Sequence, residues 1–256
     1  MKIIRVWAIR RSGHHAVINW LKCCLEKKHS VGVINALFMP FHQKTFDGYQ
    51  DVIKSNPDYL IYNIEDESFN EIRENGSKKL LDKLDDYNIP HYVDYDMYVI
   101  RDPFNCLASR WAAKRVRPTV TRKLGAISKK VIKLYIEYFD KFKEKESSNE
   151  IFVNFNKWFV DENYRRWISQ RFNVPFTDEG IGIVSKWGGG SSFDKYKYRK
   201  GNKGMNMDVL NRWKRLKGNK EYMSMFNVDP RFIQESLKAY PKETHEFFKK
   251  ENKTQV

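Results

Sequence analysis

The sequence predicts an α/β fold of three layers, a mainly parallel sheet flanked on both faces by helices. Three observations lead to it. Short apolar runs rich in β-branched residues alternate with longer segments of helical period. The runs are apolar at nearly every position, as befits strands covered on both faces. The 256 residues contain no internal repeat and no long Gly-, Pro- or Ser-rich linker, so 1–256 reads as one domain with enough chain for a substantial core.

The elements follow in order. Lys2–Ile9 (KIIRVWAI) is a buried strand, broken by Arg10-Arg11-Ser12-Gly13. From His14 to Lys28 the period turns helical, with Val17, Ile18, Leu21 and Leu25 on one side. This opening is a P-loop-like strand–loop–helix. Val31–Leu37 and Tyr59–Ile64 are the second and third strands, and 77–87 is a short amphipathic helix. Met97–Ile100 is the fourth strand, ending at Arg101-Asp102-Pro103. Helices are expected over Asn105–Lys114 and Leu124–Lys145, a fifth strand over Ile151–Phe155 and a helix over Glu162–Phe172. Gly180–Gly204 is the loosest stretch, and a long segment of that kind in a compact domain is usually a functional loop. Beyond Arg212 the chain reads as helical and basic.

Charge and cysteine usage exclude several classes. The chain carries 47 Lys+Arg against 32 Asp+Glu, a formal net charge of +15. The excess sits in two blocks, about +9 over 101–133 and about +9 over 186–220, whereas 47–96 is about −8. Two such blocks can converge on one anionic ligand or can be two solvated faces. No apolar run approaches the ~18 residues that span a bilayer, and Met1–Ile9 lacks the pattern of a signal peptide. Three cysteines, Cys23, Cys24 and Cys106, show no metal-ligand spacing, which points to a reducing, cytoplasmic location and to no metal.

Three motifs carry chemistry. In open α/β sheets, ligands sit at the carboxyl ends of strands near helix N-termini. Ser12-Gly13 lies at such a point, where the first N–H groups of the helix are free for a phosphate or sulfate. Arg11 adds a fixed charge, and His14 and His15 add ring donors. The Walker A pattern G-x-x-x-x-G-K-[ST] is absent. Arg101-Asp102-Pro103 ends a second strand in the same way, with Ser109 two helical turns further on, so that Arg101 and Ser109 can clamp one phosphate. The third motif is Arg199-Lys200-Gly201-x-x-Gly204, a basic flap in the loose segment.

In this order the three resemble the sulfotransferases that use 3′-phosphoadenosine 5′-phosphosulfate (PAPS). RRSGHHAVINWL resembles their 5′-phosphosulfate loop, VIRDPFNCLASRW their 3′-phosphate motif R-[DN]-P-x-x-x-x-x-S, and YRKGNKG their R-K-G-x-x-G element; GGGSSF resembles the segment near adenine. The resemblance covers roughly residues 3–204 and implies that Arg11, Ser12, Gly13, His14 and His15 bind the 5′-phosphosulfate. It implies that Arg101, Ser109, Arg199, Lys200 and Gly201 bind the 3′-phosphate, and that Ser192 and Phe193 line the adenine site. Arg11 replaces the lysine of the cytosolic enzymes, His14-His15 replace Thr-Thr, and Ala16 stands where they carry a stacking tryptophan. These departures indicate a divergent, non-cytosolic-type branch.

The activity this resemblance implies is in-line transfer of a sulfuryl group to a hydroxyl or amine, leaving 3′-phosphoadenosine 5′-phosphate (PAP), with no metal. Arg11 and the adjacent histidines would stabilise charge on the leaving oxygen. The cytosolic relatives place a histidine base just after the third strand; here Glu65 occupies that strand end and is the first choice, with His42 and His14 as alternatives. The expected acceptor is a carbohydrate, lipid or small molecule, a choice the sequence leaves open. Nucleic acid is not expected as a partner. Two other readings compete: an ATP-dependent phosphotransferase on a similar core, and a basic nucleic-acid-binding protein.

Overall fold

Five parallel strands form one sheet in the order β2-β3-β1-β4-β5. They are β1 (Lys2–Ala8), β2 (Val31–Leu37), β3 (Tyr59–Glu65), β4 (Tyr92–Ile100) and β5 (Glu150–Asn154). The computed structural model describes residues 1–37, 49–69, 76–116, 124–144, 147–183, 204–227 and 229–249. The helices are α1 (His14–Leu25), α2 (Gln50–Lys54), α3 (Gly76–Asp86), α4 (Pro103–Val116), α5 (Leu124–Lys141), α6 (Phe155–Val160) and α7 (Glu162–Arg171). A 3₁₀ turn at Arg212–Leu216 leads to α8 (Lys220–Ser224), α9 (Pro230–Ala239) and α10 (Pro241–Phe248).

β1 is the central strand, paired in parallel with β3 from Lys2↔Tyr59 to Ala8↔Glu65 and with β4 on its other side. Both faces of β1 are buried, which explains its unbroken apolar run. Ile4, Val6 and Ala8 join Val17, Trp20 and Leu21 of α1 and Trp158 of α6 in one core cluster. Ile3, Trp7 and Ile9 join Phe104 and Leu107 of α4 and Tyr135 of α5 in the other. The helix after β1 and the helix after β4 therefore cover opposite faces. The carboxyl ends of β1 and β4 are neighbours whose chains part to either side, the crevice in which open α/β sheets bind ligands.

Several element boundaries differ from expectation, three of them for a plain local reason. β4 begins at Tyr92, five residues before the apolar run, because the polar half of the strand is matched by β1. Asp96 accepts from Arg5 Nε at 2.7 Å, Arg5 Nη2 at 2.6 Å and Trp7 Nε1 at 2.8 Å. α1 stops at Leu25, where Lys28 N and His29 N both turn back to the Leu25 carbonyl. Phe155 opens α6 rather than ending β5, because the Asn154 side chain caps that helix by accepting from Lys157 N at 3.2 Å.

The segment beyond Arg212 builds one wall of the second core. Phe247 stacks on Phe104 with ring centroids 4.2 Å apart, and Tyr222 Oη donates to the Phe104 carbonyl at 2.8 Å. Phe226, Phe232, Tyr240 and Phe247 are all buried, each contributing on the order of 2 kcal/mol by leaving water. No helix among the described residues is long and apolar enough to cross a membrane. All three cysteines are free thiols.

Candidate functional site

The loop after β1 is shaped by two left-handed residues, Arg11 at φ +76° and Gly13 at φ +88°. Ser12 N closes the turn on the Ile9 carbonyl at 2.9 Å. Gly13 is the N-cap of α1 and offers it no side chain, and the first turn of α1 contains no acid. The positive end of this twelve-residue helix thus has no acid or side-chain cap within its own first turn. A Cβ on Gly13 would lie 2.3 Å from the Phe155 ring, so the loop packs against α6 as closely as glycine permits. These are the requirements of an anion cradle. Ser12 is fully buried and Ala16 half-buried beside it.

β3 brings two carboxylates to this loop. Glu65 pairs in register with Ala8, so its side chain emerges beside the turn. Its Oε2 accepts from Arg10 Nε at 3.0 Å. Its Oε1 lies 2.8 Å from His14 Nε2 and 3.4 Å from His15 Nε2. The two rings lie 4.1 Å apart, His14 Nδ1 is 3.3 Å from Ser12 Oγ, and Asn63 Nδ2 is 3.3 Å from His14 Nε2. Side-chain exposure grades from 2% for His14 and 5% for Glu65 to 28% for His15. Burial alone would raise the Glu65 pKa; the hydrogen bonds and charges of His14 and His15 overcome it and hold the carboxyl well below its usual range. Burial, then the neighbouring His14, lowers the His15 pKa against the pull of Glu65. Asp66 accepts from Arg10 N at 2.9 Å and from Arg110 Nη1 at 2.8 Å.

The ligating atoms of His14, His15 and Glu65 fall within 4.8 Å of one another, close enough to share a metal ion. The surroundings favour the opposite charge. Arg10 already sits on the same carboxylate, and the helix end and Arg11 make the loop electropositive.

The second expected element lies across the crevice. Arg101 is buried at the end of β4; its Nη1 donates to the Arg11 carbonyl at 3.2 Å and its Nη2 to the Val209 carbonyl. Its Nε is buried with no hydrogen-bond partner among the described residues. Its guanidinium also rests 5.3 Å from the Phe155 ring centre. Asp102 caps α4 by accepting from Asn105 N at 2.8 Å, and burial raises its pKa. Ser109, two turns into α4, donates to the Asn105 carbonyl at 2.9 Å and accepts from Arg212 Nη1 at 2.8 Å.

Arg212 is the residue that motif reading passed over. It lies in the second basic block, but nothing in its immediate sequence marks it as a partner of Ser109. Its placement comes from Asn105, whose Oδ1 accepts from Arg212 N at 2.7 Å and whose Nδ2 donates to the Leu210 carbonyl at 2.8 Å. The structure thus brings Arg11, Ser12, Gly13, His14, His15 and Glu65 into one cluster, with Ala16 next along α1. Arg101 and Ser109 stand on the facing loop and helix. His42, Ser192, Phe193, Arg199, Lys200 and Gly201 lie outside the described residues. On either side of the last five, Gly204 N bonds the Gly182 carbonyl at 2.8 Å.

No family model matches the chain, and no curated protein matches it. Among solved structures, the mouse sulfotransferase SULT7A1 complexed with PAP is similar at a TM-score of 0.48 and 13% identity, covering 93% of this chain and 90% of its own.

Proposed function

We propose that the protein is a PAPS-dependent sulfotransferase, moving a sulfuryl group to a hydroxyl or amine of an acceptor. The observation that carries the reading is that two strand ends rich in unopposed donors lie side by side on adjacent central strands. The uncapped start of α1 follows β1, and Arg101 with Ser109 follows β4; Arg101 Nη1 ties one to the other through the Arg11 carbonyl. A nucleotide with phosphates at both ends of its ribose spans such a pair, and the motif resemblance names the same residues. The Arg101 Nε, buried and without a partner among the described residues, is a donor that a phosphate oxygen would satisfy.

On this reading Arg11, Ser12, Gly13, His14 and His15 hold the 5′-phosphosulfate, the two histidines through the main-chain N–H groups that open α1, and Ala16 lies next along the helix. Arg101 and Ser109 hold the 3′-phosphate with Arg199, Lys200 and Gly201, and Ser192 and Phe193 line the adenine. When bound, PAPS supplies the sulfuryl group and a phosphate leaving oxygen. The N–H groups at the start of α1 and the Arg11 guanidinium stabilise charge there, a role worth about 10²–10³ in rate per donor in comparable sites. Glu65 and His14, with His42, are the groups expected to manage the acceptor proton. The three free thiols fit a cytoplasmic location.

Binding measurements test this directly. PAP should raise the melting temperature far more than AMP or ATP with magnesium. Arg101→Ala should cost PAP about 1.5–3 kcal/mol, a tenfold to hundredfold loss, and leave AMP nearly unchanged. Equal responses to PAP and AMP would refute the proposal. A stronger response to ATP would favour phosphotransfer, which the acids at the strand ends do not support: Asp66 is occupied by Arg110 and Asp102 by Asn105.

A further inference from the structure

Sulfuryl transfer needs a proton acceptor; of the groups expected for it Glu65 and His14 lie in the cluster, and the structure sets His15 beside them. Resting on the reading above, we propose that His15 is the base that accepts the acceptor's proton at Nδ1, and that Glu65 is the positioning residue that holds its ring through Nε2–H.

Access is the first ground. At 28% exposure the His15 side chain alone of the three reaches the surface; His14 and Glu65 lie behind it. Hydrogen bonding is the second. A carboxylate only accepts, so Oε1 of Glu65, 3.4 Å from His15 Nε2, draws the His15 ring proton to Nε2 and leaves the lone pair on Nδ1. The His14 Nδ1 is engaged with Ser12 Oγ, whereas the His15 Nδ1 makes no hydrogen bond among the described residues. Charge is the third. The groups facing His15 are His14 from α1, Glu65 from β3, and Arg11 from the loop. Burial first, and then the His14 ring 4.1 Å away, disfavour the charged form of His15, so it stays neutral and able to take a proton.

The balance closes with these groups. The acceptor oxygen gives its proton to His15 Nδ1 and forms the new bond to sulfur. The bond from sulfur to the nucleotide phosphate oxygen breaks, and its electron pair leaves with that phosphate. The imidazolium is stabilised by the ionised Glu65 beneath it. An anion in the cradle one residue away offsets Arg11 and the helix end. Occupancy of the donor site therefore raises the proton affinity of His15, and the base gains strength only when a donor is present.

Ring-nitrogen NMR of the full-length protein labelled at histidine tests this. In the nucleotide-free protein at pH 7, His15 should be neutral with its proton on Nε2, and Glu65→Ala, which removes the acceptor, should erase that preference. Saturating PAP should raise the His15 pKa. A charged His15 at pH 7, a proton on Nδ1, or indifference to Glu65→Ala overturns the proposal. Those results come from the free protein, so failure of PAP to bind would refute the donor reading separately. With PAPS saturating and water as the acceptor, His15→Gln should lower the rate of sulfate release by about 10²–10⁴; a rate equal to wild type would remove His15 as the base.

Discussion

Gly13 stands under two constraints at once. Its φ of +88° is a conformation that side chains rarely adopt, and a Cβ would press to within 2.3 Å of the Phe155 ring. Gly13→Ala should therefore destabilise by at least the ~1–3 kcal/mol of a strained backbone, read as a drop in urea midpoint. Adding Phe155→Leu should recover the steric part alone, leaving the cost of positive φ. Half of this was legible: a strand, then Ser-Gly, then a helix calls for a left-handed glycine. Phe155 was not legible as its neighbour, because 142 residues separate them. The same limit hid Arg212 from Ser109. Glu65 shows what local context adds. A carboxylate after a strand reads as a base, but its two histidine neighbours hold its pKa well below 4.5. A folded pKa lowered in this way gives stability that is full above the unfolded value and is lost as pH falls through the folded one. The stability gap between wild type and Glu65→Gln should be wide at pH 6–7 and shrink steadily below about pH 4.5. A gap independent of pH in denaturant titrations would mean that the His–Glu cluster contributes nothing to folding.

At the scale of elements, the apolar core of each strand was readable and its polar end was not. Tyr92–Asp96 joins β4 because Arg5 and Trp7 on β1 satisfy Asp96, a pairing that needs the sheet order to be known first. α4 was better marked, since Pro103 fits the first turn of a helix and Asp102 its cap. Asn105 in that first turn does the most for the site. Its amide bonds Asp102 and the Leu210 carbonyl, and its oxygen takes Arg212 N and Trp213 N. It thereby fastens 210–213 across α4 beside Arg101 and Ser109. Asn105→Ala should leave several buried polar groups without partners, at about 1–3 kcal/mol each. Amide exchange should rise over 209–216 well before it rises in β1 or β3. Uniform loss of protection through the sheet would show instead that Asn105 supports the whole fold and not this attachment.

Across the whole molecule the uneven charge acquires a structural reading. The acidic stretch 47–96 supplies Glu65, Asp66 and Asp96, which bind Arg10, Arg110 and Arg5. The two basic blocks meet where Arg212 of the second bonds Ser109 of the first, with Arg101 on the adjoining strand end. The α/β class was legible because alternating apolar runs and helical periods are local properties. The strand order was not, because it depends on which faces α1 and α4 cover. The contribution of the last forty residues was hidden for a related reason: a basic, helical tail reveals its apolar side only against a partner. That partner is α4 and α5. Phe247 stacks on Phe104 at 4.2 Å, Phe232 meets Tyr135 at 5.9 Å, and Arg231 bonds Asp140 at 2.6 Å. A chain ending at Asn227 loses α9 and α10 and leaves Phe104, Tyr135 and Phe139 uncovered. Each exposed aromatic forfeits roughly 1.5–3 kcal/mol, and a few such losses match the whole stability of a typical domain. The truncated chain should bind a hydrophobic dye and lose its cooperative thermal transition while keeping helical far-ultraviolet circular dichroism. A sharp melting transition with retained response to PAP would show that α9 and α10 are an appendage to a core complete without them.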